Sequence, residues 1–353
     1  MSKYWSNTIK DIEPYVPGEQ PKDKTYIKLN TNENPYPPSP RVIKAIKENT
    51  NNNLRLYPDP GCDNLKEAIA SYYNLDRDQV FVGNGSDEVL AFSFMAFFDR
   101  ERPLLFPTIT YSFYPVYCRL LNIEYRQVPL QDDFTLNVEE FYRENHGIIF
   151  PNPNAPTGIY LPLSKVEKIV AYNIDKVVII DEAYIDFGGK SAVSLIDKYP
   201  NLLIVQTFSK SRSLAGLRIG FAMGNKKLIE GLNRVKNSIN SYTLDTLAMI
   251  AAREAIKDDK YFEETRLKII KTRDRVAKNL RKIGFKVLDS RANFIFISHQ
   301  SYPACDLFNE LKDKGILVRY FNQPGISNYL RVSVGTEREM DVFIKTIEEI
   351  ISG

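Results

Sequence analysis

Histidine is nearly absent from this chain. Only His146 and His299 occur among 353 residues, and neither has a Ser, Cys or carboxylate beside it in a recognisable catalytic motif, so a histidine-based triad is not expected. The three cysteines, Cys62, Cys118 and Cys305, are scattered, odd in number and without a C-x-x-C pair. That argues against a disulfide framework or a zinc site and leaves buried free thiols as the expectation. No stretch reaches the roughly 18 uninterrupted apolar residues of a membrane span, and the first eleven residues lack an apolar core of signal-peptide length, so the cytoplasm is the expected address. A dominant charge is missing as well: 47 basic residues face 44 acidic ones, the formal charge is +3, and no long single-sign block argues for a nucleic-acid partner.

What is present fits an ordinary folded protein. The chain is 43% apolar and 26% charged, and at roughly 100–200 residues per domain two domains are expected. Up to about Pro40 the sequence is rich in Pro, Asn and Lys and reads as an extended arm with turns. Helical patterns then appear near 41–48 and 64–73. From Gln79 onward short apolar runs alternate with helical patterns: 79–82, 103–106, 123–128, 147–150, 176–180, 202–206 and 218–223 read as buried strands. That alternation predicts an α/β domain with a mostly parallel sheet. After about Tyr242 long amphipathic helices, near 246–255 and 261–282, give way to strands at 285–288, 294–297, 317–320 and 329–334 and a helix at 337–351, which predicts a second, α+β unit. The expected division is a large domain over 31–244, with an arm over 1–30 and a small domain over 245–353. There is no internal repeat.

The residues that carry chemistry are ordered along the first unit: Asn154-Ala155-Pro156-Thr157-Gly158, then Asp181-Glu182-Ala183-Tyr184, then Thr207-Phe208-Ser209-Lys210, then Arg218. Each lies beside or just past a predicted strand, and ligands in open α/β sheets bind outside the carboxyl ends of strands, so these segments can converge on one crevice. Lys210 follows a buried strand in a polar turn, where an amine can lose its proton and attack an aldehyde. Asp181 ends another buried strand and needs a partner; a protonated pyridine nitrogen, as in pyridoxal 5′-phosphate, is one, and a cap on the next turn is the other reading. Tyr184 and Asn154 can bond a phenolic oxygen, or serve turn and core roles. Ser86 and Asp87 after Gly85 at a predicted helix start, with Ser209 and Arg218, supply the donors and the cation that a phosphate needs. Tyr111 is the favoured aromatic to cover a ring, with Phe113 and Tyr114 assigned to core packing. Arg319 and Arg331 are charges in apolar strands that call for an anion, either a substrate or an internal carboxylate.

These elements together resemble the fold-type I aminotransferases over nearly the whole chain. Ser209-Lys210 with Leu214-Ala215-Gly216-Leu217-Arg218-Ile219-Gly220 is similar to that family's cofactor-lysine signature, and the Asn154 and Asp181 segments to its N-x-P-T-G and D-E-A-Y elements. Leu29-Asn30-Thr31-Asn32-Glu33-Asn34-Pro35, Tyr57-Pro58, Gly83-Asn84-Gly85-Ser86-Asp87-Glu88 and Leu330-Arg331-Val332-Ser333-Val334-Gly335-Thr336 resemble the histidinol-phosphate aminotransferase branch. The resemblance implies a fold-type I transferase using pyridoxal 5′-phosphate on Lys210, with glutamate and imidazole-acetol phosphate as substrates. It further implies a homodimer in which Tyr57 reaches the neighbouring subunit's cofactor phosphate, Tyr15 and Asn34 line the substrate side, and Arg319 and Arg331 hold the substrate anion. The aromatic segment after Pro107 is longer than the family's usual pattern, which keeps Tyr114 beside Tyr111 as a candidate. An aromatic-amino-acid aminotransferase and a threonine-phosphate decarboxylase would share every cofactor residue. A non-catalytic cofactor-binding regulatory domain is the reading from another class; the complete catalytic set, with no DNA-binding segment expected ahead of it, weighs against it.

Overall fold

The computed structural model describes residues 2–10, 12–99 and 102–352. A short strand, β1 (Ile27–Lys28), precedes the seven strands of the main sheet: β2 (Val80–Asn84), β3 (Leu104–Pro107), β4 (Tyr125–Val128), β5 (Gly147–Pro151), β6 (Val177–Asp181), β7 (Leu202–Thr207) and β8 (Ile219–Gly224). Their spatial order is β2-β8-β7-β6-β5-β3-β4, parallel throughout except that β8 runs antiparallel to both neighbours. All seven match the apolar runs expected as strands.

Side chains alternate across a strand, and here both faces are buried, so successive residues enter different cores. Val178 and Ile180 of β6, Leu202 and Ile204 of β7 and Val80 and Val82 of β2 join one cluster with the helices Asp63–Tyr73 and Leu163–Tyr172. Ile179, Leu203, Val205 and Phe81 point the other way, into a cluster with the helices Gly85–Phe97, Phe113–Leu121 and Lys226–Ile239. Cover on both faces explains why the inner strands β5, β6 and β7 read as apolar runs, whereas edge strand β4 buries only Val128.

The second unit is an antiparallel sheet of β9 (Phe285–Val287), β10 (Phe294–His299), β12 (Arg319–Tyr320) and β13 (Leu330–Ser333), in the order β12-β13-β10-β9. Its core takes residues from the long helix Asp259–Lys282 and from Glu337–Ser352, together with Leu29 of the arm. Arm strand β1 pairs in parallel with β11 (Ile316–Leu317). The run expected as one strand over 317–320 is thus two, because Ile316 and Leu317 face the arm while Arg319 and Tyr320 pair with β13. Helix Thr246–Ile256, read from the sequence with the second unit, buries Ala248, Ala251, Ala252 and Ile256 in the main sheet's core. Cys62 and Cys118 are buried as expected, whereas Cys305 is exposed. Among the described residues no helix is long and apolar enough to cross a membrane.

Candidate active site

A cavity of 380 Å³ opens where the main sheet ends. Pro151, Asp181 and Thr207, the last residues of β5, β6 and β7, form its floor, and Ser209 and Lys210 follow in the turn after β7. Ser86 and Asp87 enter from the first turn of Gly85–Phe97, Tyr15 from the arm, and Arg319 and Arg331 from the small sheet. Tyr111, Tyr184 and Arg218, also expected there, line it too.

The Lys210 amine lies 3.4 Å from the Thr31 carbonyl oxygen and 5.7 Å from the centre of the Tyr184 ring. Among the described residues no carboxylate forms an ion pair with it. The turn that carries it is braced by Asn34, whose Nδ2 donates to the carbonyls of Lys210 and Ser211 at 2.9 and 3.2 Å. Asn34 is therefore committed to the lysine's backbone and does not line the cavity.

Asp181 is only 5% exposed. Its Oδ2 accepts from the Tyr114 hydroxyl at 3.0 Å and its Oδ1 from the Ala183 N–H at 3.2 Å, yet burial outweighs both and pushes its pKa up to about 6. Tyr114 is wholly buried and bonded to this carboxylate, whereas Tyr111 lines the cavity. The two aromatic candidates thus occupy different places, one behind the carboxylate and one at the wall.

The anion cradle is built by close backbone approach. Gly85 starts its helix at φ +78, and a Cβ on Gly220 would collide with Ser86 N and the carbonyl carbon of Gly85, so β8 and the helix start meet in a space that admits only hydrogen. Arg218, itself left-handed at φ 53, reaches Asp87 Oδ2 with Nη2 at 2.8 Å. Asp87 Oδ1 accepts from the Tyr111 hydroxyl at 2.7 Å, and burial with that neighbouring carboxylate holds the Tyr111 phenol well above its ordinary pKa. Thr207 Oγ1 and Ser209 Oγ stand 3.0 Å apart on the cavity floor. Free amides at a helix start, hydroxyls and a guanidinium are the donors a phosphate requires.

On the opposite wall Arg331 lies half-buried between the Phe294 and Phe321 rings, at 5.4 and 5.5 Å from their centres. Its Nη2 donates to the Asn30 carbonyl at 3.0 Å, its Nε has no partner, and burial lowers its pKa. Arg319 donates to the arm carbonyls of Val16 and Pro17 at 3.1 and 3.3 Å. Among the described residues neither arginine pairs with a carboxylate, so the internal partner left open by the sequence is not what the fold supplies. Tyr15 stacks on Phe113 at 4.4 Å and borders the cavity.

Two further expected residues lie off the cavity wall. Asn154 sits behind it, its Nδ2 donating to Ile109 O and Thr157 Oγ1, each at 3.1 Å, and its buried Oδ1 without a partner. Tyr57 is 82% exposed, stacks on Tyr242 at 4.7 Å and borders a separate groove. The residues not singled out from the sequence are Asn32, Thr207 and Glu182. Asn32 was visible only as part of the arm's Asn-rich motif. Glu182 is a buried carboxyl raised to about 7 by burial and held by Ser191, the Ala192 N–H and Gln206 beneath the floor.

Residues 24–347 match the sequence profile of the family described as aminotransferase class I and II. The chain belongs to that family. It is 62% identical to a histidinol-phosphate aminotransferase of Clostridium acetobutylicum over all of both chains, and 60% identical to one of Clostridium botulinum over 100% of this chain and 99% of that one. The crystal structure of histidinol-phosphate aminotransferase from Sinorhizobium meliloti, in complex with pyridoxal 5′-phosphate, superposes with a TM-score of 0.90 at 24% identity, covering 100% of this chain and 98% of that one. Like that structure, this aminotransferase has the fold-type I architecture expected from its sequence. Its cavity fits pyridoxal phosphate on three counts visible in the side chains: an amine with no carboxylate paired to it, a buried carboxylate with no cation paired to it, and an anion cradle at a helix start.

Proposed function

We propose that this chain is a pyridoxal-phosphate-dependent histidinol-phosphate aminotransferase of histidine biosynthesis, moving an amino group reversibly between L-histidinol phosphate and 2-oxoglutarate. The full-length relatives at 60% and 62% identity support the substrate. Within the site, the observation that carries the reading is Arg331, which lines the cavity that holds Lys210 with no carboxylate paired to it and its Nε without a partner. A planar guanidinium there can take either a phosphate monoester or a carboxylate, and the two half-reactions require both.

When bound, the cofactor supplies an aldehyde for the incoming amine and a ring that takes up the electron pair left by a departing proton. Lys210 would hold it, and the same lysine Nζ would take and return the proton at the substrate carbon. This assigns the proton transfer to an amine, in keeping with the scarcity of histidine. Asp181 would keep the ring nitrogen protonated. Tyr184 would bond the phenolic oxygen and Tyr111 would cover the ring, while Asn154, its Nδ2 engaged by Ile109 and Thr157 behind the wall, would brace that corner from behind; Ser86, Asp87, Ser209 and Arg218 would form the phosphate's surroundings. Arg331 and Arg319 bind the substrate anion, Tyr15 walls the substrate side, and Asn34 acts there through the Lys210 turn it braces.

The active form in this reading is a homodimer located in the cytoplasm. Its support is Tyr57, exposed and bordering a groove away from its own chain's cavity, which suits a ring that serves the neighbouring subunit's phosphate site. Light scattering on the purified protein is expected to give twice the chain mass; a monomer that turns over at full rate would overturn the role of Tyr57. The activity is tested by steady-state formation of glutamate from 2-oxoglutarate with histidinol phosphate as donor. Preference for phenylalanine as donor would make the protein an aromatic aminotransferase, and carbon dioxide release from threonine phosphate would make it a decarboxylase.

A further inference from the structure

Asn32 is 1% exposed and sits on the arm at φ 54, a left-handed conformation that asparagine tolerates better than most side chains. All four of its polar groups are engaged. Its N–H donates to Ser333 Oγ at 2.8 Å, its carbonyl accepts from Asn293 Nδ2 at 3.0 Å, its Oδ1 accepts from Ser333 Oγ at 3.0 Å, and its Nδ2 donates to the Tyr184 hydroxyl at 3.0 Å.

The orientation of the amide follows from the hydroxyl it meets. Ser333 Oγ already accepts the Asn32 N–H, so its own hydrogen goes to an acceptor, and Oδ1 is within reach; Nδ2 is then left for Tyr184. A phenol oxygen that accepts from Asn32 cannot donate in that direction. We infer that Asn32 is a positioning residue that turns the Tyr184 hydroxyl hydrogen into the cavity, toward the cofactor's phenolic oxygen, and so presets that hydroxyl as a donor. The inference rests on the reading of Tyr184 given above. The Tyr184 ring is itself held edge-on against Phe294, 5.0 Å away at 88°, so the amide has a fixed target.

A donor to the phenolic oxygen favours its negative charge and lowers the pH at which the bound cofactor changes colour. The charged groups lining this cavity are Lys210, Arg218, Arg319 and Arg331 with Glu33, Asp87 and Asp181, and none of them is altered by the test. The holoenzyme is titrated by absorbance against pH as the parent, Asn32→Gly, Tyr184→Phe and the double variant. Glycine is chosen because it accepts the positive φ while deleting the amide. Tyr184→Phe is expected to raise the midpoint by about one pH unit and Asn32→Gly by about half of that, with no further rise when glycine is added to Tyr184→Phe. Should Asn32→Gly not fold, Asn32→Asp keeps the shape but offers an acceptor to Tyr184, and its effect should be larger in the Tyr184 background than in the phenylalanine one. A midpoint that Tyr184→Phe moves and Asn32→Gly does not would overturn the role of Asn32 alone, as would equal Asn32 effects in both backgrounds. A midpoint unmoved by Tyr184→Phe would overturn the reading of Tyr184 and the inference with it.

Discussion

Replacing Asp181 by Asn should stabilise the cofactor-free protein in a pH-dependent way while disabling the enzyme. Burial lifts this carboxyl from an ordinary 3.8 to about 6. A carboxyl that binds its proton more tightly in the folded chain than in the unfolded one contributes stability at low pH, and that contribution is lost as pH rises through about 6. The gap between the two values corresponds to about 3 kcal/mol at pH 8, about half of it already incurred at pH 5. Asparagine carries no such charge, but it also weakens the bond to Tyr114, so the pH dependence is the cleaner quantity. Denaturant unfolding of cofactor-free parent and Asp181→Asn is therefore expected to show the variant's relative stability rising by about 1.5 kcal/mol from pH 5 to pH 8. Loading the cofactor should favour the parent, since the ring proton then pairs with the carboxylate. A stability difference between the two proteins that does not change over this pH range would refute the argument from burial.

Lys210→Ala should leave the fold intact and abolish turnover; borohydride treatment followed by mass spectrometry should fix cofactor to the parent and none to the variant. Arg331→Ala removes the cation proposed to bind the substrate's anion, so KM for histidinol phosphate should rise by about 10–100-fold with a smaller change in kcat. Equal KM values in parent and variant would move the anion site elsewhere. Gly220→Ala forces a methyl against Ser86 N and should cost about 1–3 kcal/mol in unfolding experiments, with weaker cofactor retention on dialysis.

The parts of this molecule legible in its sequence are those set by local pattern. Buried parallel strands declare themselves as apolar runs, and a polar residue just past such a run, as with Asp181 and Lys210, marks the end of the sheet where ligands collect. The parts that were not legible depend on distant contacts. Tyr114 reads as an ordinary core aromatic until the fold brings it 67 residues along the chain to Asp181, and Asn32 reaches Ser333 across 301 residues. The split between β11 and β12 is of the same kind, because each half answers to a different neighbour. Arg319 shows the limit from the other side: its charge in a strand was visible, but the arm carbonyls that take its donors were not.

The central claim is amino transfer from histidinol phosphate at Lys210, and single-turnover spectroscopy of the cofactor-loaded enzyme tests it most directly. Mixed without an acceptor, histidinol phosphate should bleach the cofactor's visible band within one turnover and much faster than phenylalanine or threonine phosphate, and 2-oxoglutarate should restore it. A band that histidinol phosphate leaves unchanged while another amine discharges it would contradict the account.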